Sequence, residues 1–239
     1  MIESVRKILL KLPVSFNQSI RNDKLAYEVV KKVLNFETAS YVDVGFHKGE
    51  MLKLALKSAP KGEHYGFDPL PSFYSKLKKE LQSYVTLFEV AVSNKSGEES
   101  FFYVESNPSF SGLKKRLYPK KEKITEITVK TDTLDNLLSE VQSIDLIKID
   151  VEGGEYNVIE GARNILFKHK PVILFEHCAG AAEFYETACP RMWDLIVNQL
   201  GMGIYTMKAF VSKEKPLTKS QFQLFFDTGQ ELFFVAKFP

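Results

Sequence analysis

Between Tyr41 and Phe175 the sequence switches repeatedly between short apolar runs and longer amphipathic stretches, and few architectures accept that alternation. The runs are Tyr41–Val44, His64–Phe67, Val85–Val92, Ile144–Ile149 and Pro171–Phe175. Between them, Glu50–Ser58, Pro71–Gln82, Thr133–Val141 and Tyr156–His169 carry apolar residues three or four apart, the period of a helix with one buried face. Repeated strand-then-helix order predicts an α/β fold, a parallel sheet with helices on both faces. Glu99–Glu105 and Lys123–Thr131 alternate with period two, which predicts an antiparallel hairpin inserted into that pattern. Gly203–Met207 and Glu231–Phe238 predict closing strands, one of them antiparallel. The aromatic run Phe222–Phe226 suits a core strand, a helix or an interface.

Ahead of this pattern, Asp23 is placed to cap a helix through Leu25, Val29, Val30, Val33 and Leu34, so residues 1–38 read as a helical lead-in and residues 39–239 as one domain. The 44% apolar and 26% charged composition is that of an ordinary globular chain. A net charge of +2 and a pI of about 8.3 argue against nucleic acid as the partner. Cys178 and Cys189 have neither disulfide-framework nor zinc spacing. Arg6, Lys7 and Lys11 interrupt the apolar stretch before Pro13, and no apolar run is long enough to span a membrane. The expectation is a cytoplasmic protein.

Chemistry gathers where the runs end. The first continues Val42-Asp43-Val44-Gly45-Phe46-His47-Lys48-Gly49-Glu50, a strand that stops at a glycine-bearing turn and opens a helix. Cofactors bind at such turns, because glycine lets the backbone approach the ligand and a helix N-terminus attracts an anion; a plain strand-to-helix turn uses the same spacing. The second run ends Gly66-Phe67-Asp68-Pro69, where the carboxylate can accept from both hydroxyls of an adenosine ribose, cap the helix beginning at Pro71, or do both. The dinucleotide pattern GxGxxG is absent. Asp43, ahead of the first glycine, suits a ligand with an ammonium terminus and a sulfonium centre, which favours S-adenosylmethionine over NAD. In the fourth run, Lys148, Asp150 and Glu152 lie two apart and share a face as the strand reaches its C-terminal edge. A buried lysine among carboxylates has to be paired, and the network serves either catalysis or the join to the helix at Tyr156.

Several motifs now stand in one order: Val42–Gly45, Phe67-Asp68-Pro69, Ala91-Val92-Ser93 with Gly97, Thr133-Leu134-Asp135, Ile147–Gly153 with Glu155, and Phe175-Glu176. From about Tyr41 to His177 this order resembles the FkbM methyltransferases. The resemblance implies a Rossmann-like class I methyltransferase with a mostly parallel seven-stranded sheet, S-adenosylmethionine as cofactor, and O-methylation of a sugar or natural-product hydroxyl. It also implies cofactor contacts from Asp43, Gly45, Phe46, His47, Gly49, Asp68 and Ala91, the last on the adenine side. The chain departs from the family's usual pattern at Phe46-His47, commonly alanine-asparagine, and at Asp68, commonly glutamate. Both departures keep the carboxylate and the flanking glycines.

Within the inserted hairpin, Ser106–Leu113 is similar to a serine-bearing loop of the family and reads as a substrate-facing lid. Lys114, Lys115, Arg116, Lys120, Lys121 and Lys123 follow, facing only Glu122; they either recognise a phosphorylated or acidic acceptor or are simply solvated. His177, after Glu176, can take a proton from a hydroxyl at neutral pH or be a satisfied core histidine. No HxH or HExxH pattern points to a metal. The expected mechanism is alignment of the reacting atoms, with Asp150, Glu152 or His177 orienting and deprotonating the hydroxyl of a small-molecule or glycan acceptor and Lys148 holding the carboxylates. The rival readings are a Rossmann-like binding module without catalysis, and an NAD-dependent dehydrogenase or epimerase, which the missing glycine pattern disfavours.

Overall fold

The residues of Tyr41–Val44 are all buried, as are those of Leu146–Ile149, so neither run has a polar face and each needs cover above and below. The computed structural model, which describes residues 16–118 and 120–239, supplies that cover. The strands are β1 (Tyr41–Val44), β2 (His64–Phe67), β3 (Thr86–Phe88), β4 (Ala91–Val92), β5 (Gly97–Val104), β6 (Ile124–Asp132), β7 (Leu146–Ile149), β8 (Val172–Glu176), β9 (Gly203–Thr206) and β10 (Phe233–Lys237). The helices are α1 (Phe16–Val33), α2 (Glu50–Ser58), α3 (Pro71–Leu81), α4 (Leu134–Leu137), α5 (Glu155–Glu160), α6 (Arg163–His169), α7 (Cys189–Trp193), α8 (Met207–Val211) and α9 (Lys219–Thr228).

The main sheet has seven strands in the order β3-β2-β1-β7-β8-β10-β9. β3, β2, β1, β7 and β8 pair in parallel, whereas β10 runs antiparallel to β8 and to β9. Order reverses at β1, which lies between β2 and β7, and the crevice outside the C-terminal ends of such strands is where α/β sheets bind ligands. One face of the sheet carries Val42, Val44, Ile147, Ile149, Ile173 and Phe175, packed against Leu134, Val158, Ile159, Met192, Ile196 and Phe222. The opposite face carries Tyr41, Leu146, Leu174 and Val235, packed against Val29 and Val30 of α1, Leu52 and Ala55 of α2 and Leu77 of α3. Period two puts Asp43 with Tyr41 and Lys148 with Leu146, beneath α1 and α2.

Three expectations are corrected. The run Val85–Val92 is two strands: β3 is the edge of the main sheet, and the chain then leaves to form β4, which pairs in parallel with β6 of a second sheet ordered β4-β6-β5. That second sheet contains the inserted hairpin, with β5 and β6 antiparallel from Gly97 opposite Thr131 to Val104 opposite Ile124. The segment Tyr156–His169 divides into α5 and α6, because the Asp135 carboxylate accepts from Asn164 N–H at 3.0 Å and Ile165 N–H at 2.9 Å and so starts a new helix. Asp23 lies inside α1, which begins at Phe16, and caps nothing. Residues 1–15 of the lead-in, with Arg6, Lys7, Lys11 and Pro13, lie outside the described residues. The run Phe222–Phe226 is helical, within α9, and buries Phe222 and Phe226. Cys178 and Cys189 are free and buried. Among the described residues no helix is long and apolar enough to cross a membrane.

Candidate active site

The turn after β1 is built around Gly45, whose φ of +81° is left-handed and whose Cβ, if it had one, would sit 2.0 Å from the Asp150 carbonyl oxygen. Close contact between the β1 and β7 ends thus requires glycine here. Phe46 turns into the core, and His47, also left-handed at φ 50°, donates its backbone N–H to Asp68 Oδ2 at 3.0 Å. Leu70 N–H donates to Asp68 Oδ1 at 3.0 Å. Asp68 therefore ties the turn after β1 to the turn after β2. It does not cap α3, whose N-cap is Leu70 without a side-chain bond. Burial pushes the Asp68 carboxyl up to about 7, against the pull of those two N–H groups.

Under this turn Lys148 Nζ lies 3.4 Å from Asp43 Oδ1, 3.2 Å from Asp150 Oδ2 and 3.4 Å from the Gly45 carbonyl oxygen. Burial works against the ammonium, but Asp150 and Asp43 outweigh it and raise Lys148 above its ordinary range. The same burial pushes Asp43 up to about 6, with Lys148 and, more weakly, the Tyr41 hydroxyl opposing. Asp43 Oδ2 is buried with no aligned hydrogen-bond partner.

Two cavities meet here. A cleft of about 680 Å³ is lined by Asp68, Leu70, Phe73, Ala91 and Val92, by Asp150, Glu152, Asn157 and Tyr185, and by Ser109, Ser111 and Leu113 of the insert. A second cavity, about 810 Å³, opens between α1 and the β1 turn and is lined by Asn22, Asp23, Tyr27, Asp43, Phe46 and Lys148, among others. Gly45, His47 and Asp150 line both, so these residues form the wall between them. The His47 ring packs edge-on against Phe73 at 4.4 Å between centroids, with Ser109 Oγ 3.4 Å from Nε2.

Past β7 the chain makes a tight turn in which Glu152 takes φ 59°. Buried Glu155 holds the turn, its Oε1 accepting from Val151 N–H and Gly153 N–H, both at 3.1 Å. Burial pushes Glu155 up to about 7. Asp150, Glu152 and Glu176 each bring one carboxylate oxygen within 4.8 Å of the others, and their counter-charges are Lys148 on Asp150 and Arg116 of the insert on Glu152.

Of the residues that the sequence singled out, Gly45, His47, Asp68, Ala91, Asp150 and Glu152 line the first cavity, and Asp43, Phe46 and Lys148 join at the second. Gly49 lines neither; it precedes α2 with φ +74°. His177 is not brought to either cavity. Its ring lies buried against Phe222 and Phe226, at 5.6 and 4.8 Å between centroids, and burial pushes it down to about 3. A neutral ring in an aromatic pocket corrects the expectation of a histidine poised to take a proton. Sequence reasoning missed Asn22 and Tyr27 of α1, Tyr185, and Glu176 as a member of the carboxylate group. Glu176 alone carried a signal, as an acid at the C-terminal end of a strand.

A family model described as the methyltransferase FkbM domain matches residues 43–202. The 2-O-methyltransferase NoeI of Sinorhizobium fredii (strain NBRC 101917 / NGR234) is 26% identical over 171 residues, which cover 64% of this chain and 70% of that protein. Among solved structures, methyltransferase FkbM from Methylobacillus flagellatus KT aligns with a TM-score of 0.52 at 13% identity over 85% of this chain. The chain spans 44% of the length of that structure, and at this identity the likeness concerns the fold.

Proposed function

The chain belongs to the FkbM methyltransferase family, and on that premise we propose that it moves a methyl group from S-adenosylmethionine to a hydroxyl oxygen of a sugar or other small-molecule acceptor. The observation that carries this reading is the pair of buried carboxylates flanking Gly45. Asp43 Oδ2 has no aligned partner and suits an ammonium, and each oxygen of Asp68 accepts one backbone N–H and retains a lone pair for a ribose hydroxyl. Leu70, Phe73, Ala91 and Val92 offer the adenine an apolar slot beside Asp68. When bound, S-adenosylmethionine supplies an electrophilic methyl carbon on a sulfonium.

The remaining work falls to residues of this chain. Asp150, on the wall shared by the two cavities, and Glu152, beside Gly112 of the insert, orient the acceptor hydroxyl and take its proton. Lys148 holds Asp150 in place through its ion pair. Ser109, Ser111 and Leu113 cover the cleft and keep water from the reacting oxygen. A general base contributes roughly 10²- to 10⁴-fold to such a transfer, the rest coming from alignment. NoeI, named as a 2-O-methyltransferase, supports oxygen as the methylated atom.

Calorimetry with S-adenosylhomocysteine tests the cofactor site. Binding by the native chain that is lost in Asp68→Ala supports the reading, while a native chain that binds none of it favours a binding module that has lost catalysis. A screen of hydroxylated acceptors with radiolabelled cofactor then tests the base, which should make Asp150→Asn and Glu152→Gln slower by about 10² or more.

A further inference from the structure

The inserted segment between β5 and β6 does more than cover the cleft. Phe102 N–H donates to Gly112 O at 2.8 Å, Lys114 N–H to Tyr185 Oη at 3.1 Å, and Leu117 N–H to Gly180 O at 3.2 Å, so the segment bridges from its own hairpin to the turn after β8. Between those anchor points Arg116 points inward. Its guanidinium pairs with Glu152 and lies 5.2 Å from the centre of the Phe110 ring, and its side chain is only 15% exposed. The neighbouring cations behave differently: Lys123 pairs with Glu105 at the surface and Lys115 lies over the Phe102 ring. Arg116 is therefore the residue of the basic run that is delivered to the carboxylate group.

What it meets there is a surplus of acid. Asp150, Glu152 and Glu176 converge within 4.8 Å, Asp43 lies on the far side of Lys148, and buried Glu155 stands behind the Glu152 turn. Lys148 is already shared between Asp43 and Asp150. Of the other titratable groups nearby, His47 from the β1 turn interacts with Asp150, Cys178 after β8 with Glu176 and with Glu183, and Tyr185 with Glu155 and Arg116. Burial pushes Cys178 and Tyr185 upward, so both stay neutral near pH 7 and add no positive charge. Burial first, and then Asp150, also push Glu176 well above the usual carboxyl range, with Arg116 pulling it back. Clustered carboxylates that lack a counter-charge retain protons, and a protonated carboxyl is no base.

We propose that Arg116 is a positioning residue: carried by the insert, it supplies the counter-charge that biases the Asp150–Glu152–Glu176 group toward its ionised form, so the group takes the acceptor's hydroxyl proton more readily with Arg116 paired to Glu152. In that step the O–H bond breaks and its proton passes to a carboxylate of the group; the oxygen lone pair would form the bond to the methyl carbon as the methyl–sulfur bond breaks, its electron pair leaving on the sulfur of S-adenosylhomocysteine. This inference rests on the reading of Asp150 and Glu152 as the base.

The titration that tests it needs no acceptor. The full chain, labelled with ¹³C at the glutamate side-chain carboxyl, is titrated by NMR as the parent and as Arg116→Gln and Arg116→Lys, with Glu152→Gln and Glu176→Gln to assign the signals. In Arg116→Gln the Glu152 and Glu176 midpoints should rise by about one pH unit or more, and Arg116→Lys should recover at least about half of that shift. Midpoints in folded Arg116→Gln within about 0.3 unit of the parent would overturn the proposal. If Arg116→Gln fails to fold, Arg116→Met, which keeps an apolar stem against Phe110 and removes the charge, is titrated in its place, with a rise of about one pH unit or more expected and parental midpoints overturning the proposal. A shift accompanied by parental transfer rates in Asp150→Asn and Glu152→Gln supports the counter-charge and overturns instead the base reading beneath it.

Discussion

His177 shows how strongly a residue's surroundings decide what its chemistry can do. Both ring nitrogens are buried without a partner, between Phe222 and Phe226, so the imidazole stays neutral in the folded chain. Its folded pKa, about 3, lies below its ordinary 6.5. Below about pH 6.5 the unfolded chain takes up a proton that the folded chain refuses, so this contribution to stability is complete above 6.5 and is lost as pH falls toward 3. His177→Leu removes the penalty. The variant should match the parent within about 1 kcal/mol at pH 8, where stacking lost and orphan nitrogens removed offset each other. At pH 5 it should be about 2 kcal/mol more stable. Urea melts at the two pH values check this, and S-adenosylhomocysteine binding at pH 8 should be unchanged. The acids Asp43, Asp68 and Asp150 were legible because Asp68 and Asp150 each close an apolar run and Asp43 interrupts one just ahead of Gly45. Arg116 and Glu152 were not legible as a pair, because what joins them is the path of the insert and not any local pattern.

Among the elements, the β1 turn is the most constrained. Gly45 and Gly49 both have left-handed φ, which costs a residue with a Cβ about 1–2 kcal/mol. What the Cβ would meet separates them. At Gly49 it meets the tip of Leu77, Cδ1 at 2.5 Å, and a flexible side chain can give way; at Gly45 it meets the Asp150 carbonyl at 2.0 Å, and a backbone held by its own strand cannot. Gly49→Ala should therefore lose about 1–2 kcal/mol and still bind S-adenosylhomocysteine. Gly45→Ala should lose more than about 3 kcal/mol, or bind none, since relief requires β1 and β7 to part. Thermal melts and calorimetry on the two variants decide, and equal losses would show that φ alone matters. The sequence alternation placed β1, β2 and α2 with their observed bounds, because the strands are mostly apolar, with no solvent-facing polar alternation, and the helix carries apolar residues three or four apart. It merged β3 with β4 and α5 with α6, because those breaks are made by a partner strand and by the Asp135 carboxylate from elsewhere in the chain.

At the scale of the whole molecule, the parallel alternation made the α/β class legible, while the two cavities were not, since their walls come from α1 and from the insert. The same assembly concentrates buried acid at one end of the sheet: Asp43 at about 6, Asp68 at about 7 and Glu155 at about 7, each raised by burial from 3.8 or 4.5. A raised carboxyl pKa in the folded state gives stability that is present below the ordinary value and is lost as pH rises through the folded one, here from about pH 4 to about 7. His177 opposes that slope below 6.5, so melting temperature alone does not isolate it. The ligand does. An ammonium at Asp43 and ribose hydroxyls at Asp68 favour the ionised carboxylates, so bound ligand reverses the loss at those two groups and leaves Glu155, which is satisfied by its own turn, unaffected. The rise in melting temperature produced by a fixed, saturating concentration of S-adenosylhomocysteine should thus grow between pH 5 and pH 8, by the equivalent of about 1–3 kcal/mol. Asp43→Asn should retain part of that growth, from Asp68 alone. Scanning fluorimetry across the pH range measures it directly. A ligand-induced rise that is the same at every pH would mean that neither carboxylate touches the cofactor, and the binding end of the sheet would have to be sought elsewhere along it.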